Sequence, residues 1–143
     1  MKKAFLFLLI LLLAETLYAF SSWGSTVKVE IIPSQDRYEA GKSYPLLIRV
    51  SIPDKWYLHG PEKEGDMIPT ELCFEDHPSI GIQDILFPFT ENKKFQYSSE
   101  PLALYDGDIF IKATLVLPAD IPPGEHHLRG ELSYQACTAS SCL

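Results

Sequence analysis

A period-two alternation of apolar and polar residues runs through much of this chain, and it restricts the possible folds more than any other feature. The two longest examples are YPLLIRVSI, from position 44, and DIFIKATLVL, from position 108. The apolar face of the first consists of Leu46, Ile48, Val50 and Ile52, and that of the second of Ile109, Ile111, Ala113, Leu115 and Leu117. Successive side chains of a strand point to opposite faces, so the pattern predicts strands with one buried face.

Shorter segments continue this pattern along the chain. VKVEII, TELCFE and IQDILF are candidate strands, and HHLRGELSYQAC predicts one long late strand. The 11 prolines and 8 glycines separate these segments, and no stretch beyond residue 20 shows a convincing helical period. Many short strands with turn residues between them predict an all-β chain, an immunoglobulin-like β-sandwich formed by residues 20–143.

Two connections between the candidate strands differ in kind. Asp106-Gly107 lies between two apolar runs, which predicts a tight β-hairpin. Residues 89–101, FTENKKFQYSSEP, form a longer polar stretch with aromatic residues and no clear alternation. Loops of this length in compact domains are often functional, so this one is a candidate site element.

The first 19 residues have the composition of a targeting segment. Lys2 and Lys3 precede an apolar run from Ala4 to Ala14. A run of about 11 apolar residues is long enough for a signal peptide and too short to span a bilayer. We therefore expect residues 1–19 to be a signal peptide cleaved after Ala19, with a retained anchor as the alternative. The net charge is −7 for the whole chain and, without Lys2, Lys3 and Glu15, about −8 for the exported domain, which disfavours contact with nucleic acid or membrane surfaces.

Two cysteines, Cys137 and Cys142, lie close together in the final segment YQACTASSCL. A disulfide requires Cα atoms within about 7 Å, so the chain must double back through TASS, whose hydroxyl side chains can support a turn. Closing so short a loop removes little unfolded-state entropy and stabilises by only about 2 kcal/mol. An exported chain allows such a bond to form and persist. The spacing alone leaves a structural staple and a redox pair equally open.

The segment GELSYQACTASSCL resembles the active-site segment of the N-terminal periplasmic domain of DsbD-type thiol:disulfide interchange proteins. In that family a strand ending in Y-Q-x-C leads into a short loop and a second cysteine. Upstream, AGKSYPLLIRVSIPDKWYLHG is similar to the family's early strand pair, and LALYDGDIFIKATLVLP to its central hairpin. The resemblance extends from Val27 to Leu143.

This resemblance implies an immunoglobulin-like domain that acts as a protein-disulfide reductase in the periplasm. Such domains accept electrons from a thioredoxin-like domain and pass them to oxidised partners, such as disulfide isomerases and the thioredoxins of cytochrome c maturation. Cys142 would then be the attacking, partner-facing sulfur and Cys137 the resolving one.

The resemblance also implies an aromatic cap that shields the cysteine pair. The cap candidates are Phe95, Tyr97 and Tyr105, and the near-site candidates are Tyr134, Gln135 and Asp106. The alternative for Phe95 and Tyr97 is simple packing over a sandwich edge. Asp106 would raise a thiol pKa by like-charge repulsion, or serve only as a turn former.

One departure from the family pattern bears on function. Family members continue past the second cysteine with prolines and a final strand, whereas this sequence ends at Leu143. The expected fold is therefore an immunoglobulin-like sandwich in which the last strand is either present or missing. The alternatives to an interchange domain are an exported immunoglobulin-like binding module with a structural disulfide, and a truncated fragment without activity.

The other cysteine and the histidines are not expected to form a site. Cys73 shares a strand face with Glu71 and Glu75, yet a free cysteine is usually a small packed residue, and packing is the expectation for it. If the Cys73 thiol stayed accessible, it would instead form a disulfide between two chains or with the wrong cysteine of its own chain. The histidines are scattered, at His59, His77, His126 and His127. We expect no metal site and no cofactor.

Overall fold

Ten strands make up the regular secondary structure of residues 27–142, the part of the chain that the computed structural model describes. They are β1 Lys28–Pro33, β2 Ser43–Ser51, β3 Tyr57–His59, β4 Glu71–Phe74, β5 Gly81–Leu86, β6 Glu91–Lys93, β7 Leu102–Tyr105, β8 Asp108–Val116, β9 Gly130–Ser133 and β10 Ala136–Cys137. The described residues include no helix with the length and apolar character that a membrane crossing requires. The predicted signal peptide, residues 1–19, lies outside the described residues.

The strands form three antiparallel sheets. One has the order β1-β2-β8-β5, the second has the order β10-β3-β7-β6, and the third consists of β4 and β9. Leu58 and Tyr105 of the second sheet belong to one buried cluster with Ile48 and Ile111 of the first, so the two four-stranded sheets share a core. The prediction of an all-β sandwich is confirmed, and its immunoglobulin-like variety stays a prediction.

The β2–β8 ladder is the centre of that core. All nine residues of β2 pair with β8 in unbroken register, and Ile48 lies opposite Ile111. The predicted inward faces are confirmed at Leu46, Ile48, Val50, Ile52, Ile109, Ile111, Ala113 and Leu117, which are buried, while Leu115 is half-buried. Fully burying one such aliphatic side chain contributes about 1.5–3 kcal/mol, so these two strands are a main source of hydrophobic stabilisation.

The hairpin predicted at Asp106-Gly107 is wrong. These two residues separate β7 from β8, yet β7 pairs with β3 and β6 while β8 pairs with β2 and β5. A type I′ hairpin needs positive φ at both central residues, and of these two only Gly107 has it, at 62°. The turn instead carries the chain from one sheet to the other, and the Gly107 carbonyl accepts a hydrogen bond from the Ile52 amide at 2.9 Å.

The long strand predicted for HHLRGELSYQAC is shorter and divided. β9 pairs with β4, whereas β10 pairs with β3, and the break falls at Tyr134 and Gln135. The Gln135 carbonyl accepts a hydrogen bond from the His59 amide at 3.3 Å, and its side-chain oxygen accepts one from the Ile68 amide at 3.0 Å. Because polar backbone groups at the break find partners, the chain can pass between sheets there at low cost.

The stretch predicted as one loop, residues 89–101, contains a short strand. Its residues Glu91 to Lys93 form β6, which pairs with β7 and is the edge of the second sheet. The remaining residues, from Lys94 onward, form the turn that returns to β7. β6 therefore fixes where this turn leaves the sheet.

The packing predicted for Cys73 is wrong, because this free cysteine is exposed. On β4 the burial alternates, with Leu72 buried and both Glu71 and Cys73 exposed. The strand period therefore outweighs the general preference of cysteine for the interior.

Candidate functional site

The last described residues form a tight hairpin that the Cys137–Cys142 disulfide closes. The two Cα atoms are 3.9 Å apart. The Thr138 amide donates to the Ser141 carbonyl at 2.7 Å, and the Thr138 hydroxyl oxygen accepts from the amides of Ser140 and Ser141 at 3.3 Å each. The predicted turn through TASS is confirmed, with Thr138 as the side chain that organises it.

Strand β10 holds this hairpin against the second sheet. In the ladder with β3, Cys137 lies opposite Tyr57 and Ala136 lies opposite Leu58. Cys137 has 0% of its surface exposed, whereas Cys142 is half-buried. The two cysteines of one bond thus differ in access, and an approaching molecule meets Cys142 first.

Tyr97 lies beside the Cys142 side of the bond, and Phe95 stacks on Tyr97. The ring centroids of Phe95 and Tyr97 are 5.3 Å apart with an interplanar angle of 14°. The Tyr97 hydroxyl donates to the Thr138 carbonyl at 3.1 Å and lies 3.7 Å from the Cys142 sulfur. Burial and the neighbouring Tyr57 raise the pKa of Tyr97, so its hydroxyl is protonated at neutral pH. We call Phe95 and Tyr97 the aromatic pair.

A charged cluster lies behind the aromatic pair. Phe95 packs on Tyr57 with centroids 5.3 Å apart, and the Lys93 ammonium lies 5.4 Å from the centroid of the Tyr57 ring. Lys93 also forms ion pairs with Asp106 at 2.9 Å and with Glu91 at 3.1 Å, and these two carboxylates raise the pKa of Lys93. The Lys93 charge compensates that of Asp106, which weakens the like-charge effect on a thiol expected from the sequence.

The other three candidates have mainly structural contacts. Tyr105 is a core residue, 2% exposed, on a strand that β3 separates from β10, and its hydroxyl donates to the Pro88 carbonyl at 2.8 Å. Burial raises the pKa of Tyr105 to about 12. Tyr134 packs against the core, and Gln135 bridges the break between β9 and β10. The structure thus brings Tyr97 to the hairpin with Phe95 stacked on it, and places Tyr105 in the interior.

His59 is the site residue that sequence reasoning missed. One of its ring nitrogens and the sulfurs of Cys137 and Cys142 all lie within 4.8 Å of one another. His59 is 1% exposed, and its Nε2 has no hydrogen-bond partner among residues 27–142. Burial lowers the pKa of His59, against a smaller opposite effect of Glu64, so the imidazole is neutral at neutral pH. Only the pairing of β3 with β10 brings it to the cysteines, and no local signal in the sequence reveals that pairing.

The site therefore combines a disulfide whose Cys142 is the more accessible cysteine, the aromatic pair with Tyr97 beside that sulfur, and a buried neutral imidazole. Such a bond can exchange with a thiolate, and the thiolates it releases can bind soft cations. Neither the protein-family models nor the curated proteins compared with this chain match it.

Proposed function

We propose that this chain is an exported thiol:disulfide interchange domain of the DsbD type, a protein-disulfide reductase that works in the periplasm. Cys137 and Cys142 alternate between disulfide and dithiol, and they carry two electrons from a thioredoxin-like donor to oxidised partner proteins. The observation that carries the proposal is the unequal exposure of the two bonded cysteines, with the Tyr97 hydroxyl 3.7 Å from the more exposed sulfur. Unequal access suits an exchange reaction, in which one sulfur is attacked and the other leaves.

Each half of the cycle is a pair of thiolate attacks. A donor thiolate attacks the Cys142 sulfur, the Cys137–Cys142 bond breaks, and Cys137 leaves as a thiolate. The second donor thiolate then attacks the mixed disulfide, which leaves the donor oxidised and Cys142 free. In the second half, the Cys142 thiolate attacks the disulfide of a partner, and Cys137 attacks Cys142 to restore the bond and release the reduced partner.

The aromatic pair sets the access to Cys142. Tyr97 is 39% exposed and is held at the hairpin by its hydrogen bond to the Thr138 carbonyl. One such bond contributes about 0.5–1.5 kcal/mol, an amount that the docking of a protein partner readily exceeds. The pair therefore screens the cysteines from small oxidants and yields to a partner with a matching surface.

The reduction potential of Cys137–Cys142 tests the proposal. We expect a potential above about −300 mV, the range below which structural disulfides lie. Equilibration with a thioredoxin-like protein of known potential, followed by alkylation of the free thiols, measures it. Circular dichroism of the reduced chain completes the test, since the proposal requires an intact fold. A lower potential, or a fold that is lost on reduction, would instead support a binding module with a structural staple.

Trapping of a mixed disulfide tests the roles of the two sulfurs. The variant Cys137→Ala, in a Cys73→Ser background that removes the exposed thiol, should accumulate a covalent adduct with its oxidised partner through Cys142. The matched control is Cys142→Ala in the same background, which leaves only the buried Cys137 and should form little adduct. Equal trapping by both variants would contradict the assignment of Cys142 as the attacking sulfur.

A further inference from the structure

We propose that the reduced thiols of Cys137 and Cys142, together with the imidazole of His59, form a binding site for a thiophilic cation, with Zn²⁺ as the ion that fits. This inference does not rest on the proposed electron transfer, since any dithiol that opens the bond creates the ligand set. The site is specific to the reduced chain, because a disulfide has no thiolate to offer.

The donor atoms already have nearly the required separation. Tetrahedral zinc, with bonds of about 2.3 Å to sulfur and about 2.0–2.1 Å to nitrogen, places its ligand atoms about 3.5–3.8 Å apart. A ring nitrogen of His59 and the two sulfurs lie within 4.8 Å of one another. When the disulfide is reduced, the sulfurs separate from bonding distance toward this spacing, so a small rotation of each side chain completes the site.

The environment of His59 supports a ligand role. A buried imidazole normally has hydrogen-bond partners, because a buried polar atom without one destabilises the fold. Yet His59 is 1% exposed, and within the described part of the chain its Nε2 has no partner. The backbone on both sides is held in place, since the His59 amide donates to the Gln135 carbonyl and the His59 carbonyl accepts from the Thr70 hydroxyl. The ring is thus positioned beside the sulfurs by the hydrogen bonds of its own backbone.

The ligand types select the class of ion. Two thiolates and one imidazole suit Zn²⁺ and Cu⁺ and are poor ligands for Mg²⁺ and Ca²⁺, which require oxygen atoms. Three protein ligands leave the fourth tetrahedral position for a water molecule, on the half-buried Cys142 side. The same aromatic pair that screens the disulfide then covers the bound ion.

Binding of the ion is coupled to redox state and to protons. Reduction converts one disulfide and one external dithiol into two cysteine thiols and one external disulfide. A Zn²⁺ ion that binds then displaces the two thiol protons, so binding weakens as pH falls. Oxidation by a partner disulfide re-forms the Cys137–Cys142 bond, reduces that partner to two thiolates and releases the ion.

The test is titration of the dithiol-reduced Cys73→Ser chain, freed of reductant under anaerobic conditions, with Co²⁺ and then Zn²⁺. We expect one Co²⁺ per chain, with the intense absorption of tetrahedral cobalt and a thiolate-to-cobalt charge-transfer band that Zn²⁺ abolishes. The oxidised chain should show neither. A reduced chain without the charge-transfer band would overturn the proposal.

The His59→Leu variant tests the imidazole. We expect its zinc affinity, measured by competition with a chromogenic chelator, to fall by more than about 100-fold, since even the hydrogen-bonding partners of ligands contribute about 10–100-fold. The matched control is His77→Gln, which alters a histidine whose ring packs on His126 at 5.6 Å, and it should bind like the parent. Equal affinity of His59→Leu and the parent would exclude His59 as a ligand.

A measurement on the unsubstituted ring remains decisive if His59→Leu does not fold. Nuclear magnetic resonance of the ¹⁵N-labelled reduced Cys73→Ser chain should show a large shift of one His59 ring nitrogen on addition of Zn²⁺. The resonances of His77, His126 and His127 should stay in place. Unchanged His59 resonances at saturating Zn²⁺ would overturn the three-ligand site.

Discussion

The β2–β8 ladder and the terminal hairpin differ in almost every physical respect. The ladder pairs nine residues in unbroken register around a buried apolar face. The hairpin rests on β10, a strand of two residues, which pairs with the three-residue strand β3. The first region is a main source of hydrophobic stabilisation, and the second contains the reactive groups. Stability and chemistry are thus located in separate parts of the sandwich.

This separation affects how easily each region opens locally. A region with few paired residues opens at a free energy well below that of global unfolding. The terminal hairpin can therefore rearrange, or release its aromatic cover, while the long ladder stays intact. A long ladder at the cysteine pair would instead hold the bond rigidly and hinder the exchange that we propose.

The largest effect is expected from the variant Ile111→Ala, in the middle of the long ladder. Ile111 is 0% exposed, so truncation should lower the free energy of unfolding by about 2–5 kcal/mol, measured by urea denaturation. The control is Lys112→Ala, an exposed position on the outward face of β8, and it should change the free energy of unfolding by at most roughly 0.5 kcal/mol. Similar losses in both variants would refute the division between an inward and an outward face.

The second largest effect is a loss of stability at alkaline pH, and its origin is a tyrosine buried in the core. The pKa of Tyr105 is raised from 10.0 to about 12, so the folded chain keeps a proton that the unfolded chain releases. Stability is therefore complete below pH 10 and falls as pH rises toward 12, by at most about 1.4 kcal/mol per pH unit. Urea unfolding of the parent and of Tyr105→Phe across this range should show a steeper decline in the parent. Parallel curves would contradict the prediction.

A smaller effect is expected at the aromatic cover. The variant Tyr97→Phe removes the hydrogen bond to the Thr138 carbonyl, so a small dithiol should reduce the disulfide about 2–10-fold faster. Rates follow from alkylation of free thiols at successive times. Tyr44→Phe is the control, since the Tyr44 hydroxyl accepts from the Glu39 amide at 2.9 Å and lies on the first sheet. A rate equal to that of the parent would show that Tyr97 does not restrict access.

The smallest effect concerns the turn itself. The variant Thr138→Ala removes the hydroxyl that accepts from two turn amides, so the equilibrium for closing the disulfide against glutathione should fall by about 2–5-fold. The effect is limited because the backbone hydrogen bond from Thr138 to Ser141 remains. Ser141→Ala keeps its backbone contacts and serves as the control. A larger loss in the control would assign the turn to Ser141 instead.

Much of the fold could be predicted because burial acts on every second residue of a strand. Leu46 to Ile52 and Ile109 to Leu117 followed the period, and on β4 the period was a better guide to Cys73 than its residue type was. The errors came where pairing is decided at long range. At Asp106-Gly107 the two flanking strands join different sheets, and at Tyr134 the late strand divides.

The candidate site was predictable in part for the same reason. Cys137 and Cys142 are near neighbours in sequence, and their turn follows from local hydroxyl groups. Phe95 and Tyr97 were proposed through the family resemblance; Tyr97 does contact the hairpin, and Phe95 stacks on Tyr97. His59 could not be found, because its place beside the sulfurs depends on two short strands whose register carries no sequence signal.

The five-residue separation of the bonded cysteines also affects how the protein matures. Loops of this order close in about 10–100 ns, long before a partner strand as distant in sequence as the one bearing Tyr57 can be found. The two sulfurs can therefore meet before the sandwich forms, and an oxidant, which needs seconds to hours to make the bond, can act on the unfolded or on the folded chain. A count of free thiols in cell extracts therefore reports whether the chain has met an oxidant. It does not distinguish a folded molecule from an unfolded one. Resistance to protease makes that distinction.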